Sequence, residues 1–148
     1  MKKLKTLVFL ILPVLLFVLG MMVKSRVGYY HLFTSDPAYA YLLNGLALCD
    51  FNIPWLVQGP GTPLILYCAI VMPVVHLFRG QDTLIIDVMQ NPDIYLSIIT
   101  TSVIAIQSLL LFLMGLLIFK SSKKILTGLF FQLTPFVSCV LIEILRLV

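Results

Sequence analysis

The residues of this chain best equipped for chemistry lie in one stretch, FTSDPAYAYLLNGLALCDF, at residues 33–51. At its centre Asp36 precedes Pro37, and a carboxylate there has two possible uses. As a helix cap it would accept backbone N–H bonds, with Pro37 at the first helical position and Tyr39, Leu42, Leu43 and Leu46 following at helical spacing. As an acid or base it would draw on the proton of a hydroxyl held at a membrane surface. The two uses compete, because a carboxylate bonded to backbone N–H groups has a lowered pKa and is a poorer base at neutral pH. It would still hold a metal ion or orient a hydroxyl.

Other polar side chains gather around it. Residues 24–61 carry Lys24, Arg26, His31, Asn44, Asp50, Asn52 and Gln58, together with Tyr29, Tyr30, Tyr39, Tyr41 and Trp55. These aromatics fit an interfacial belt, so the segment is expected to lie along a membrane surface. The run QGPGTPL at residues 58–64 packs two prolines and two glycines before an apolar stretch and reads as a rigid turn into the bilayer. It lacks the GxxxxGK spacing of a phosphate loop.

Elsewhere chemistry is sparse. His31 and His76 have no partners at catalytic spacing, and Gln107 and Gln132 lie in apolar runs, where an amide most often bonds to a neighbouring helix. Glu143 and Arg146 are one helical turn apart and read as an ion pair. Cys49, Cys68 and Cys139 show no ligand pattern and read as small apolar residues. No nucleophile–base pair, HExxH or dinucleotide fingerprint occurs.

The elements that must position these residues follow from composition. Hydrophobic residues make up 61% of the 148 residues and charged ones 11%. The mean hydropathy is +1.10. A soluble domain carries roughly 25% charged residues, so this chain has too little polar surface to face water all round. An all-α integral membrane protein is expected. The formal charge of +4 is no nucleic-acid footprint, since the cations sit at the ends of apolar runs rather than in a basic stripe.

Four apolar runs, at about residues 6–23, 62–78, 92–119 and 125–145, predict four transmembrane helices, with an outer loop at 24–61. The first run follows Lys2, Lys3 and Lys5, which places the N-terminus in the cytoplasm. Its apolar run is longer than that of a signal peptide, and no small-x-small cleavage site follows it, so an uncleaved first span is expected. Pro13 interrupts it, which requires a neighbour to satisfy the freed carbonyl. Residues 82–90 predict a short amphipathic helix on the membrane surface, with Leu84, Ile85, Val88 and Met89 on one face and Asp82, Asp87 and Gln90 elsewhere. Asn91 is expected to cap the next helix ahead of Pro92. If all four runs cross, Lys120, Lys123 and Lys124 fall outside and Asp82, Asp87 and Asp93 inside, against the positive-inside rule. If residues 62–78 dip without crossing, three spans restore it.

The chain resembles the N-terminal part of GT-C fold glycosyltransferases, near the dolichyl-phosphate-mannose–protein mannosyltransferase and aminoarabinose transferase groups. The resemblance is carried by Ser35-Asp36-Pro37-Ala38-Tyr39-Ala40-Tyr41-Leu42-Leu43-Asn44-Gly45 and Pro60-Gly61-Thr62-Pro63-Leu64. Asn91-Pro92-Asp93-Ile94-Tyr95-Leu96 and Gln132-Leu133-Thr134-Pro135-Phe136 complete it. It implies transfer of a sugar from a polyprenyl-phosphate donor to an acceptor hydroxyl on the non-cytoplasmic side, in a bacterial inner membrane. It also implies short membrane-surface helices in the first outer loop and four spans. Asp36 would be the catalytic acid or base, or would hold a divalent ion as in metal-dependent relatives; no other cofactor is implied. Tyr39, Asn44, Gly61 and Thr62 would position the loop. Lys24 and Arg26, from their place at the outer end of the first helix, are expected to offset the phosphate of the lipid carrier. Gly59 stands where relatives often carry a histidine. Relatives are also several times longer, which implies a truncated module or a partner membrane chain that supplies the missing helices. The rival expectation is a small non-catalytic subunit packing against a larger membrane complex. A transporter ranks third, because no span carries a central ionisable pair.

Overall fold

The computed structural model describes residues 7–27, 38–55, 62–80 and 83–134, and among them the regular structure is helical, with no strand. The helices are α1 (Ile11–Val27), α2 (Ala38–Cys49), α3 (Thr62–Arg79), α4 (Leu84–Gln90), α5 (Pro92–Ser122) and α6 (Ile125–Thr134). The expected all-α class holds for these residues. Of the four expected spans, α3 and α5 are long and apolar enough to cross a membrane, whereas α1 and the described part of α6 are shorter.

Local chemistry sets the boundaries. Pro92 opens α5 at a position where a missing N–H costs nothing. Gly80, at φ +62°, closes α3 in the left-handed region that glycine adopts without penalty. Helix α2 ends in a Schellman-type turn, with the Asn52 N–H on the Ala47 carbonyl at 2.9 Å. There Phe51 takes the left-handed position at φ 57°. Serines and threonines within α5 close their own hydroxyls onto the preceding turn, as Thr101 Oγ1 does on the Ser97 carbonyl at 2.7 Å and Ser108 Oγ on that of Ile104 at 2.8 Å.

The chain packs as two units, Met1–Met22 with Val103–Val148, and Val23–Ser102. In the first, Pro13 has no N–H to give the Phe9 carbonyl four residues back, so the turn at residues 7–10 is set off from α1. The side chain of Gln132, wholly buried on α6, repairs this break. Its Nε2 donates to the Phe9 carbonyl at 3.0 Å and to the Leu111 carbonyl at 3.1 Å. Two glycines admit the arrangement. A Cβ on Gly115 would collide with the Gln132 amide, and one on Gly128 would come within 2.6 Å of the Phe9 ring. Such close approaches of small residues are how helices associate where lipid offers no hydrophobic drive.

The second unit repeats the device. Pro73 inside α3 frees the Ala69 carbonyl, and the Cys49 thiol at the end of α2 donates to it at 3.3 Å. Helices α2 and α3 pack face to face around Gly45, where an added Cβ would lie 2.7 Å from Cys68 Cβ. Leu42, Leu46, Ile65, Cys68 and Met72 are buried at this contact or beside it, as the reading of Cys68 as an apolar filler anticipated.

In helix α4, Asp87 and Val88 are buried, and Ile85, Ile86 and Met89 are exposed. A short helix turns its single charge inward because its neighbours supply the bonds that repay desolvation.

Candidate functional site

Asp87 is the centre of the densest polar cluster among the described residues. It exposes 2% of its surface, yet each carboxylate oxygen has several partners. Arg79, in the last turn of α3, approaches side-on, with Nε 3.1 Å from Oδ1 and 2.9 Å from Oδ2, and Nη2 2.9 Å from Oδ1. Tyr95, fully buried in α5, donates its hydroxyl to Oδ2 at 2.5 Å. Asn91 Nδ2 donates to Oδ1 at 3.1 Å, and His76 Nδ1 stands 3.3 Å from Oδ2, a donor in its Nδ1–H tautomer.

The backbone explains how these residues meet. His76 and Arg79 are three apart on α3 and share a face. Asp87, Asn91 and Tyr95 recur every four residues, so the spacing continues from α4 into α5 across the Asn91-Pro92 junction. Asn91 ends α4, its own N–H on the Asp87 carbonyl at 2.9 Å, and turns its side-chain amide to Asp87. The sequence assigned Asn91 as a cap for the following helix; here its amide N–H groups serve the preceding one.

Electrostatics fixes what the cluster does. The Arg79 guanidinium first, and the Tyr95 hydroxyl second, hold the Asp87 carboxyl well below the usual carboxylate range. A base that reluctant draws little on a substrate proton. The arrangement is a clasp that ties the end of α3, helix α4 and the start of α5 to one carboxylate.

Lys24 forms a second, half-buried polar contact. Its Nζ donates to the Ser97 carbonyl at 3.0 Å, to Ser97 Oγ at 2.9 Å and to Thr101 Oγ1 at 2.5 Å. An ammonium carries three N–H donors, and these bonds engage all of them. A lipid phosphate at Lys24 would therefore displace one of these oxygens or act through space.

The remaining expected site residues are spread more widely. Asp36 and Gly61 lie outside the described residues, as do His31, Gln58, Glu143 and Arg146. Arg26 is in the last turn of α1. Tyr39 is partly buried on α2, one residue beyond its start, and Thr62 opens α3 with an exposed side chain. Asn44 is fully buried and its Nδ2 donates to the Ala40 carbonyl at 2.7 Å, within its own helix. Gln107 is exposed, whereas Gln132 bonds to neighbouring segments as expected. Among the described residues, no three His, Cys, Asp or Glu side chains group as metal ligands.

His76, Arg79, Asp87 and Tyr95 were missed as a set. The signal available was the 87/91/95 spacing, but Pro92 reads as a break between elements and hides it. Apolar grooves lie elsewhere, one of about 520 Å³ lined by Leu126, Thr127, Leu129, Phe130 and Leu133. No protein-family model, curated protein or solved structure matches the chain.

Proposed function

We propose that this chain is the N-terminal membrane module of a glycosyltransferase that moves a sugar from a polyprenyl-phosphate donor to an acceptor hydroxyl at the non-cytoplasmic face. In this reading Asp36 is the acid that positions or activates the acceptor. One observation carries it: the short apolar helix α2 begins two residues after Asp36 and packs directly on α3, whose first residues belong to the Gly61-Thr62-Pro63 turn. That order of loop acid, short helix and proline-led apolar helix is what the resemblance leads one to expect. A divalent ion, if the enzyme uses one, would be held at Asp36, and a partner chain would supply further helices.

The test is transfer of radiolabelled sugar from polyprenyl-phosphate donors to membrane acceptors, in membranes carrying the native chain or its Asp36→Asn variant at equal abundance. Loss of transfer in the variant is expected. Undiminished transfer would remove Asp36 from the mechanism.

A second reading has its own support. Asn44, Asp87 and Gln132, all buried, bond within the chain, which suits a non-catalytic subunit that only packs against a larger complex. Wild-type membranes and membranes lacking the chain would then transfer sugar equally.

A further inference from the structure

Membrane spans that alternate strictly place the first and third parallel to each other. Helices α1 and α5 are not parallel. In the first unit, Phe9 just before α1 meets Phe119 near the end of α5, ring centroids 5.3 Å apart. Further along α1, a Cβ on Gly20 would come 2.8 Å from Ile104 Cγ2. In the second unit, Lys24 bonds to Ser97 and Thr101. Within the first unit a step forward along α1 is a step back along α5, so the two helices run antiparallel there.

We propose that α1 and α5 cross the bilayer in opposite directions, and that the chain between them leaves and re-enters at one face. The turn at residues 120–124 then emerges at the face from which α1 starts, and its lysines meet the anionic headgroups of the cytoplasmic leaflet.

Helix α2 cannot restore alternation. Its 12 residues rise about 18 Å, short of a hydrocarbon core roughly 30 Å thick. It also ends in exposed Asp50 and Asn52, bonded to each other at 2.8 Å, with Trp55 exposed just beyond. Polar side chains and a tryptophan in that combination belong at headgroup level. Helix α3 therefore starts and finishes on the outer side, with Leu66, Ile70, Val74 and Leu77 exposed along it. Charge agrees. In sequence, six of the seven lysines (Lys2, Lys3, Lys5, Lys120, Lys123 and Lys124) precede α1 or stand from the last turn of α5 onward, whereas all five aspartates (Asp36, Asp50, Asp82, Asp87 and Asp93) lie from the end of α1 to the first turn of α5, with Lys24, Arg26 and Arg79 as the cations nearby. Positive charge is retained at the cytoplasmic surface, where anionic lipid attracts it.

The inference rests on these contacts and this charge division, and not on the glycosyltransferase reading, whose relatives imply that the second apolar run crosses. Asp36 stays on the outer side in either case, so the sugar-transfer assay and the topology fail independently. Single cysteines at Lys3, Thr83 and Ser121, each in a chain whose own three cysteines are alanine, are probed with a membrane-impermeant maleimide in intact and permeabilised cells. Thr83→Cys should label in intact cells, and Lys3→Cys and Ser121→Cys only after permeabilisation. Labelling of Ser121→Cys in intact cells, or protection of Thr83→Cys there, overturns the proposal. Trypsin supplies the same reading without substitution. Cleavage at Lys123 or Lys124 is expected in inside-out vesicles and not in right-side-out ones, and the reverse pattern refutes it.

Discussion

Replacing Gln132 with leucine isolates the bond that repairs the break at Pro13. The substitution keeps an apolar side chain of similar length and removes the Nε2 donor from the Phe9 and Leu111 carbonyls. Leu111 belongs to a continuous helix and keeps a backbone donor; Phe9 has none, because residue 13 is proline. A buried carbonyl left unsatisfied costs about 1–3 kcal/mol, although side-chain bonds between membrane helices average nearer ~0.6 kcal/mol. Gln132 also buries an Oε1 with no partner, and leucine relieves that burden. The net loss should therefore be about 1 kcal/mol. The discriminating step is a cycle with Pro13→Ala, which restores an N–H opposite Phe9. Equilibrium unfolding in mixed micelles, followed by circular dichroism, should show Gln132→Leu costing clearly less in the alanine background, with a coupling of about 1 kcal/mol. Equal costs in both backgrounds would mean that Gln132 does not serve the proline break.

Other consequences follow from the same contacts. Asp87→Ala leaves Arg79 without its counter-charge and should lower the stability to unfolding, with Tyr95→Phe costing less; an Asp87→Ala chain as stable as the parent would refute the clasp. Since Asp87 is held below its ordinary range by Arg79 and Tyr95, its stabilisation is complete above the unfolded aspartate value of about 4. It fades as pH falls further, through the lowered folded value. An acid titration of unfolding should show that loss in the parent and a smaller one in Asp87→Asn. Gly45→Ala forces a Cβ to 2.7 Å from Cys68 and should destabilise the α2–α3 pair by about 1–3 kcal/mol, partly recovered in Gly45→Ala with Cys68→Gly. Phe51→Gly, at a left-handed and almost fully exposed position, should raise stability by about 0.5–1 kcal/mol.

How far these features were readable varied with the physics behind them. Apolar run length predicted α3 and α5 closely, because length and composition alone define a potential span. Pro13 announced that a neighbour must satisfy a freed carbonyl, and Gln132 announced an amide in search of a partner; only the fold shows that each answers the other. The burial of Asp87 was hidden for a different reason. Helical periodicity says which residues share a face but not which face is buried, and the partners that make burial tolerable come from α3 and α5. The antiparallel course of α1 and α5 was hidden because it depends on contacts more than 70 residues apart in sequence, such as Gly20 with Ile104. The positive-inside conflict was its one visible trace.

The most direct test of the glycosyltransferase reading is whether the chain meets a lipid phosphate. A photoreactive polyprenyl-phosphate probe, irradiated in membranes containing the native chain, should crosslink within residues 24–61, and excess polyprenyl phosphate should abolish the signal where phosphatidic acid does not. No crosslink to the chain, or one that phosphatidic acid competes equally well, would contradict the reading.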